Sequence, residues 1–240
     1  MTHPNGEKVF LSVVVPAYNE EDRIGPCLAA IASYLGSKPF SSEVIVVDDG
    51  SEDRTADIVR ESLPSIPHGR VLSRGENAGK GYSVREGVLA SSGGLILFTD
   101  ADLSTPITEL DKFLPRLERG DDVVIGSRAL PDSVIEVRQS RPRETMGKAF
   151  NLLVRMLVLR GLRDTQCGFK AFRRAAAMDL FSRLRTTGFA FDVEILMLAR
   201  RLDYRVVEVP VVWRNSPSSR VRLVRSSWRM LKELLKIRTF

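Results

Sequence analysis

The 240-residue chain has only two cysteines, Cys27 and Cys167, and two histidines, His3 and His68. The cysteines lie far apart and match no metal-ligand spacing, so both read as free thiols in a reducing compartment, and zinc is not expected. One histidine is near the terminus and the other sits in a proline-flanked loop, which leaves histidine-based nucleophilic or acid–base catalysis without a candidate. Proton chemistry, if there is any, falls to carboxylates. No uninterrupted apolar run reaches the ~20 residues needed to cross a bilayer. The opening MTHPNGEKVF lacks the charged-then-apolar order of a signal peptide. The expectation is a cytoplasmic protein, at most peripheral on the cytoplasmic face of a membrane.

What is present is 43% hydrophobic residues, enough for one substantial core, and a formal net charge of +6. One domain with an appendage is the natural reading. The charge implies an anionic partner, but nucleic acid, anionic lipid and a phosphorylated substrate all satisfy it, so the placement of the charge must decide.

Short β-branched runs recur at Val9–Val15, Val44–Val47, Leu95–Phe98 and Val123–Ile125, separated by helix-period segments. Such alternation predicts an α/β fold with an open, mainly parallel sheet, helices on both faces, and a ligand crevice beyond the carboxyl ends of the strands. Polar groups gather at that rim. Pro16, Ala17, Tyr18, Asn19 and Glu20 follow the first run, Asp48, Asp49, Gly50 and Ser51 the second, and Thr99, Asp100, Ala101 and Asp102 the third. At any one strand end these are ordinary turn and cap residues, but three strands agreeing points to a site.

Asp100 and Asp102, two apart at the end of a buried strand, would repel each other without compensation. A hard cation, Mg²⁺ or Mn²⁺, answers this by taking one or two carboxylates and keeping its other positions for water and phosphate oxygens. In Asn77–Gly81, glycines flank Lys80 at a predicted helix start, which suits the approach of a diphosphate. The pattern is not that of a nucleoside-triphosphatase loop.

Taken together, PAYNE at Pro16–Glu20, DDGS at Asp48–Ser51, NAGKG at Asn77–Gly81 and DADLSTP at Asp100–Pro106 resemble family 2 glycosyltransferases of the GT-A fold. GSR at Gly126–Arg128, RDTQCGFK at Arg163–Lys170 and AFDVE at Ala190–Glu194 look like the polyprenyl-phosphate glycosyltransferases, in particular the dolichyl-phosphate β-glucosyltransferases. The resemblance implies that Pro16, Tyr18, Glu20 and Asp48 or Asp49 hold the base and ribose. It places Lys80 near the nucleotide and Asp100 and Asp102 at ribose and metal. Mannose synthases of this group typically carry Gln where this chain has Ser104. That departure and the TQC before Gly168 tilt the implied donor toward UDP-glucose and away from GDP-mannose.

The second half carries the charge. Around a helix-prone stretch, Thr145–Arg160, with Phe150, Leu153 and Leu157 on one face, lie Arg141, Arg143, Lys148, Arg155, Arg160 and Arg163. An interfacial helix and a core-packed helix with a solvated basic face both fit. Near the C-terminus Arg222, Arg225, Arg229, Lys232 and Lys236 step along a helix opposite Val224, Trp228, Leu231 and Leu235, a pattern suited to an anionic leaflet or to an oligomer contact. The basic residues lack aromatic stacking partners, so nucleic acid is not the expected partner. The expected layout is a catalytic domain over 1–218, with the interfacial helix at about 145–160, and a basic amphipathic helix over 219–240.

Arg128, Arg141 and Arg143 are candidates for the acceptor phosphate, since guanidinium offers paired donors to phosphate oxygens. Resemblance adds Arg220, although Pro217-Ser218-Ser219 stands where relatives have a glycine-containing loop ending in Lys. A lipid phosphate is already ionised near neutrality and can attack the sugar with inversion without a general base. Asp192 occupies the place where relatives with hydroxyl acceptors keep a base; it either removes a proton, positions sugar, or caps a helix over Val193–Leu202. Asp102, Asp192 and Arg128 are thus the catalytic candidates. The competing expectations are a GDP-mannose donor, a hydroxyl acceptor, and an inactive nucleotide-sugar-binding module.

Overall fold

A computed structural model of the chain describes residues 9–66, 68–137 and 161–214. A seven-stranded sheet is built from β1 (Leu11–Ala17), β2 (Ser42–Asp48), β3 (Gly69–Ser73), β4 (Leu95–Thr99), β5 (Val123–Ser127), β7 (Phe169–Arg173) and β8 (Val206–Pro210), in the order β3-β2-β1-β4-β7-β5-β8. All neighbours are parallel except β7, which runs antiparallel to both β4 and β5. A two-stranded parallel ribbon joins β6 (Val134–Val137) and β9 (Val212–Arg214).

Alternation along the strands sends side chains to two cores, one on each face of the sheet. Val13, Val15, Val44, Val46, Leu97 and Phe169 pack with Leu28, Ile31 and Leu35 of α1 (Ile24–Gly36), Val59 of α2 (Thr55–Ser62) and Phe113 of α4 (Leu110–Glu118). Val14, Ile45, Val47, Phe98, Ile125 and Phe172 meet α3 (Lys80–Ala90), α5 (Arg174–Arg183) and α6 (Phe191–Arg201) on the other face. Burial on both faces is why the central strands read as continuous apolar runs. The expected strands are present with shifted ends, and the first begins at Leu11 instead of Val9.

Strand order reverses between β1 and β4, so the crevice opens at their carboxyl ends. Pro16 sharpens it. The β1–β4 ladder stops at Val14↔Phe98 while β1 stays paired with β2 through Ala17↔Asp48. A proline lacks the N–H a further rung would need. The antiparallel β7 matters equally, because its amino end arrives at the same rim, with Phe169 opposite Thr99. The segment 163–168 is thereby delivered to the crevice.

The stretch 145–160, Arg141, Arg143, Arg220 and the helix expected over 219–240 lie outside the described residues. Among the described residues no helix is long and apolar enough to cross a membrane.

Candidate active site

After β4 the chain turns at once, with Leu103 in the left-handed region at φ 43°. Asp100 takes the Lys80 ammonium at 2.5 Å on Oδ1. The Asp102 Oδ1 accepts the Ser104 N–H at 2.9 Å, and its Oδ2 lies 3.7 Å from Arg23, which also pairs with Glu20. The two carboxylates are therefore met by side-chain cations from opposite sides. Burial alone would lower the Lys80 pKa, but the carboxylates of Asp100, Asp192 and Asp102 outweigh it and raise it, so Lys80 stays charged. Below them Cys27 is buried, and burial together with Asp102, Asp100 and Glu20 pushes its thiol pKa up. It is an inert packing residue, as is Cys167, pushed up to about 11 by burial and Asp164.

The loop that presents Lys80 is held from β2. Asp49 accepts the Ala78 N–H at 3.0 Å and the Gly79 N–H at 2.8 Å, and pairs with Arg74 at 2.6 Å. Both of its oxygens are thus committed to the loop. Asp48, also buried, accepts the Ser51 N–H at 3.2 Å. Gly79, at φ 105°, is the residue just before α3; a side chain there would meet the Thr187 carbonyl oxygen at 2.5 Å, so the 186–188 loop packs against it. Tyr18, which follows β1, is 41% exposed. Pro16 is buried within β1, and Glu20 starts the turn into α1, its N–H donating to Thr55 Oγ1 at 2.7 Å.

On the far wall Arg128 and Asp164 form a two-pronged pair, Nε–Oδ2 2.6 Å and Nη2–Oδ1 2.9 Å, with the Arg128 guanidinium 5.5 Å from the Trp213 ring centre. Burial would raise the Asp164 carboxyl pKa, but Arg128 and the N–H groups of Arg128 and Gln166 hold it down at about 2. Asp192 is buried in the first turn of α6; Ala190 is the capping residue, so the alternative of a helix-capping role for Asp192 does not hold. Its Oδ1 lies 2.5 Å from Lys170, and burial, against Lys170 and Lys80, leaves its pKa raised.

The sequence did not single out Arg23, Arg74 or Lys170. Arg23 and Arg74 stand outside the motifs and Lys170 only closes RDTQCGFK, in a chain with 36 Lys and Arg, so only proximity reveals their roles.

The model of Glycosyl transferase family 2 matches residues 12–181. The chain belongs to glycosyl transferase family 2. Relatives of this glycosyltransferase include the dolichyl-phosphate beta-glucosyltransferases of Dictyostelium discoideum, 37% identical over 97% of this chain and 75% of the relative, and of Drosophila melanogaster, 39% identical over 95% and 74%. The human dolichyl-phosphate beta-glucosyltransferase is 37% identical over 95% and 74%. In fold the chain matches glucosyl-3-phosphoglycerate synthase from Mycobacterium tuberculosis in complex with Mn²⁺, UDP-glucose and phosphoglyceric acid, with a TM-score of 0.70 at 23% identity over 97% of this chain and 80% of that one. Mannosyl-3-phosphoglycerate synthase from Rubrobacter xylanophilus gives 0.71 at 22% identity over 95% and 73%. The fold is GT-A-like.

A divalent ion fits this glycosyltransferase's donor set. Asp100 and Asp102 offer only oxygen, and the cations now beside them mark where positive charge is stabilised. Among the described residues no three or more His, Cys, Asp or Glu converge on one metal position. Two carboxylates suffice for an ion that keeps water and substrate oxygens as its other ligands.

Proposed function

We propose that this glycosyltransferase moves glucose from UDP-glucose to a dolichyl-type polyprenyl phosphate, with inversion, at the cytoplasmic face of a membrane. The observation that carries the reading is the crevice where β1 and β4 part. It has Asp100, Asp102 and Lys80 on one side and Arg128 on the other, in a chain 37–39% identical to dolichyl-phosphate β-glucosyltransferases.

In this reading Tyr18 stacks on the base and Asp48 accepts from the ribose. Pro16 and Glu20 shape their loop, and Asp49 acts by holding the Lys80 loop. Asp100 and Asp102 would hold Mg²⁺ or Mn²⁺, which when bound neutralises diphosphate charge as a Lewis acid. The Lys80 ammonium turns from Asp100 to the diphosphate and stabilises the charge that grows there as the anomeric C–O bond breaks. Arg128 commits two of its donors to Asp164 and keeps others for the acceptor phosphate. Arg141, Arg143 and Arg220 are further proposed donors to that phosphate. The acceptor phosphate needs no general base, so Asp192 serves as an anion that receives a sugar hydroxyl.

One observation favours a second reading. The raised pKa of Asp192 suits a base acting on a hydroxyl acceptor. A single assay separates the two. Purified protein is incubated with labelled UDP-glucose or GDP-mannose, Mg²⁺ or Mn²⁺, and polyprenyl phosphate, and label is counted in an organic extract with and without EDTA. Glucose label that vanishes with EDTA is expected. No label in the organic phase from either donor overturns the lipid-phosphate acceptor, and label from GDP-mannose alone overturns the glucose donor.

A further inference from the structure

Lys170 is the most anomalous side chain in the described core. It lies on β7 between Phe98 of β4 and Ile125 of β5 in register, on the face where both pack against α3, α5 and α6. Its neighbours in the strand alternate as the pleat requires, with Phe169 and Ala171 in one core and Phe172 in the other. Position 170 therefore calls for an apolar residue. A lysine with no solvent exposure stands there instead. Its ammonium donates to the Cys167 carbonyl at 2.7 Å and to Asp192 Oδ1 at 2.5 Å, and sits 5.4 Å from the Phe98 ring centre.

A buried ion pair is a poor device for stability, because an apolar pair of similar volume often does as well or better. The pair is better explained by what it does to Asp192. That carboxylate is buried in the first turn of α6, where an ammonium within hydrogen-bond reach fixes its orientation. Lys170 reaches it across the packed interface between β7 and α6, on the face of the sheet that α6 covers, and fixes one oxygen, while the charge of Lys80 in the crevice also acts on the carboxylate. Cys167, whose carbonyl receives the same ammonium, adjoins Gly168, which packs on Asp100. One buried cation thus ties the Asp192 helix to the loop beside Asp100.

We propose that Lys170 is a positioning residue for sugar transfer, acting through Asp192. The proposal rests on the reading above that Asp192 meets the donor sugar.

The test uses Lys170→Met, Asp192→Asn and the double variant in the full chain, with kcat, KM and Tm measured for each. The wild type is assayed first with UDP-glucose and GDP-mannose, and the donor it uses decides the donor reading. The variants are then compared on that donor, so the two failures appear in different proteins; a wild type that transfers neither sugar overturns both. Expected is a fall in kcat on the order of 10²-fold for folded Lys170→Met, the size of loss a misplaced catalytic group produces, with KM for the polyprenyl phosphate unchanged. The double variant, which leaves no uncompensated charge, should regain Tm and yet turn over no more slowly than Asp192→Asn. Full kcat in folded Lys170→Met, or a double variant slower than Asp192→Asn by the further Lys170→Met factor, overturns the proposal. If Lys170→Met does not fold, the comparison of the double variant with Asp192→Asn still decides.

Discussion

A methyl group on Gly168 would stand 1.9 Å from Asp100 Oδ2. No side-chain adjustment at position 168 can relieve that overlap, so the carboxylate itself must move. Gly168→Ala is therefore expected to weaken Mn²⁺-dependent UDP binding by about 10-fold or more, a tenfold change being worth about 1.4 kcal/mol, while far-ultraviolet circular dichroism stays that of the wild type. Calorimetric titration checks it, and unchanged affinity would show that Asp100 is not where the nucleotide and metal meet. Asp164 gives a second prediction at this scale. Its folded pKa is lowered to about 2 by Arg128, against burial. The stability it contributes is thus complete above the unfolded value of about 3.9 and lost as pH falls toward 2, on the order of 2 kcal/mol. Denaturant unfolding between pH 5 and 2 should show a steeper loss for the wild type than for Asp164→Asn; parallel curves would remove the assignment. Asp100, Asp102, Lys80, Arg128 and Asp192 were legible because they stand in motifs or at strand ends. The roles of Arg23, outside any motif, and of Lys170, although it ends the RDTQCGFK motif, were not, since a cation's role depends on which carboxylate the fold brings to it.

Elements place these residues, and three strands of the main sheet, β7, β3 and β8, were hidden. The strand Phe169–Arg173 carries a buried lysine where alternation asks for an apolar side chain, so its period gave no strand signal. Its reversed direction is what brings Asp164 and Gly168 to the rim, and periodicity carries no information about direction. β3 and β8 are short and only partly buried, with one charged residue in each, Arg70 and Glu208. The parallel half was readable because strands covered on both faces write unbroken apolar runs. The Lys80 loop is the element most open to test. Asp49→Ala strips two loop amides and Arg74 of their acceptor at a buried position, which should cost about 1–3 kcal/mol. Hydrogen exchange at Ala78 and Gly79 should quicken ahead of the β2 core, and UDP affinity should fall. Uniform quickening across the sheet would mean that Asp49 supports the fold as a whole and not the loop.

Across the whole molecule, the crevice is neutralised from within by pairs of opposite charge: Lys170 with Asp192, Lys80 with Asp100, Arg23 with Asp102, Arg128 with Asp164. The net charge of +6 must then be felt elsewhere, and the sequence concentrates it toward the C-terminus, at Arg222, Arg225, Arg229, Lys232 and Lys236. Each basic residue near an anionic leaflet contributes about 1 kcal/mol, screened within a Debye length. Losing even two such contacts corresponds to at least about a tenfold loss of affinity. Removing Val221–Phe240 should therefore reduce co-sedimentation with phosphatidylserine-containing vesicles by that factor or more, with the difference shrinking as salt is raised. A water-soluble short-chain polyprenyl phosphate separates adsorption from chemistry, because it needs no surface. Turnover on it should survive the truncation while turnover on vesicle-borne acceptor falls. Equal loss on both acceptors would place this segment in the catalytic fold, and unchanged sedimentation would assign its basic stripe to some other anionic surface.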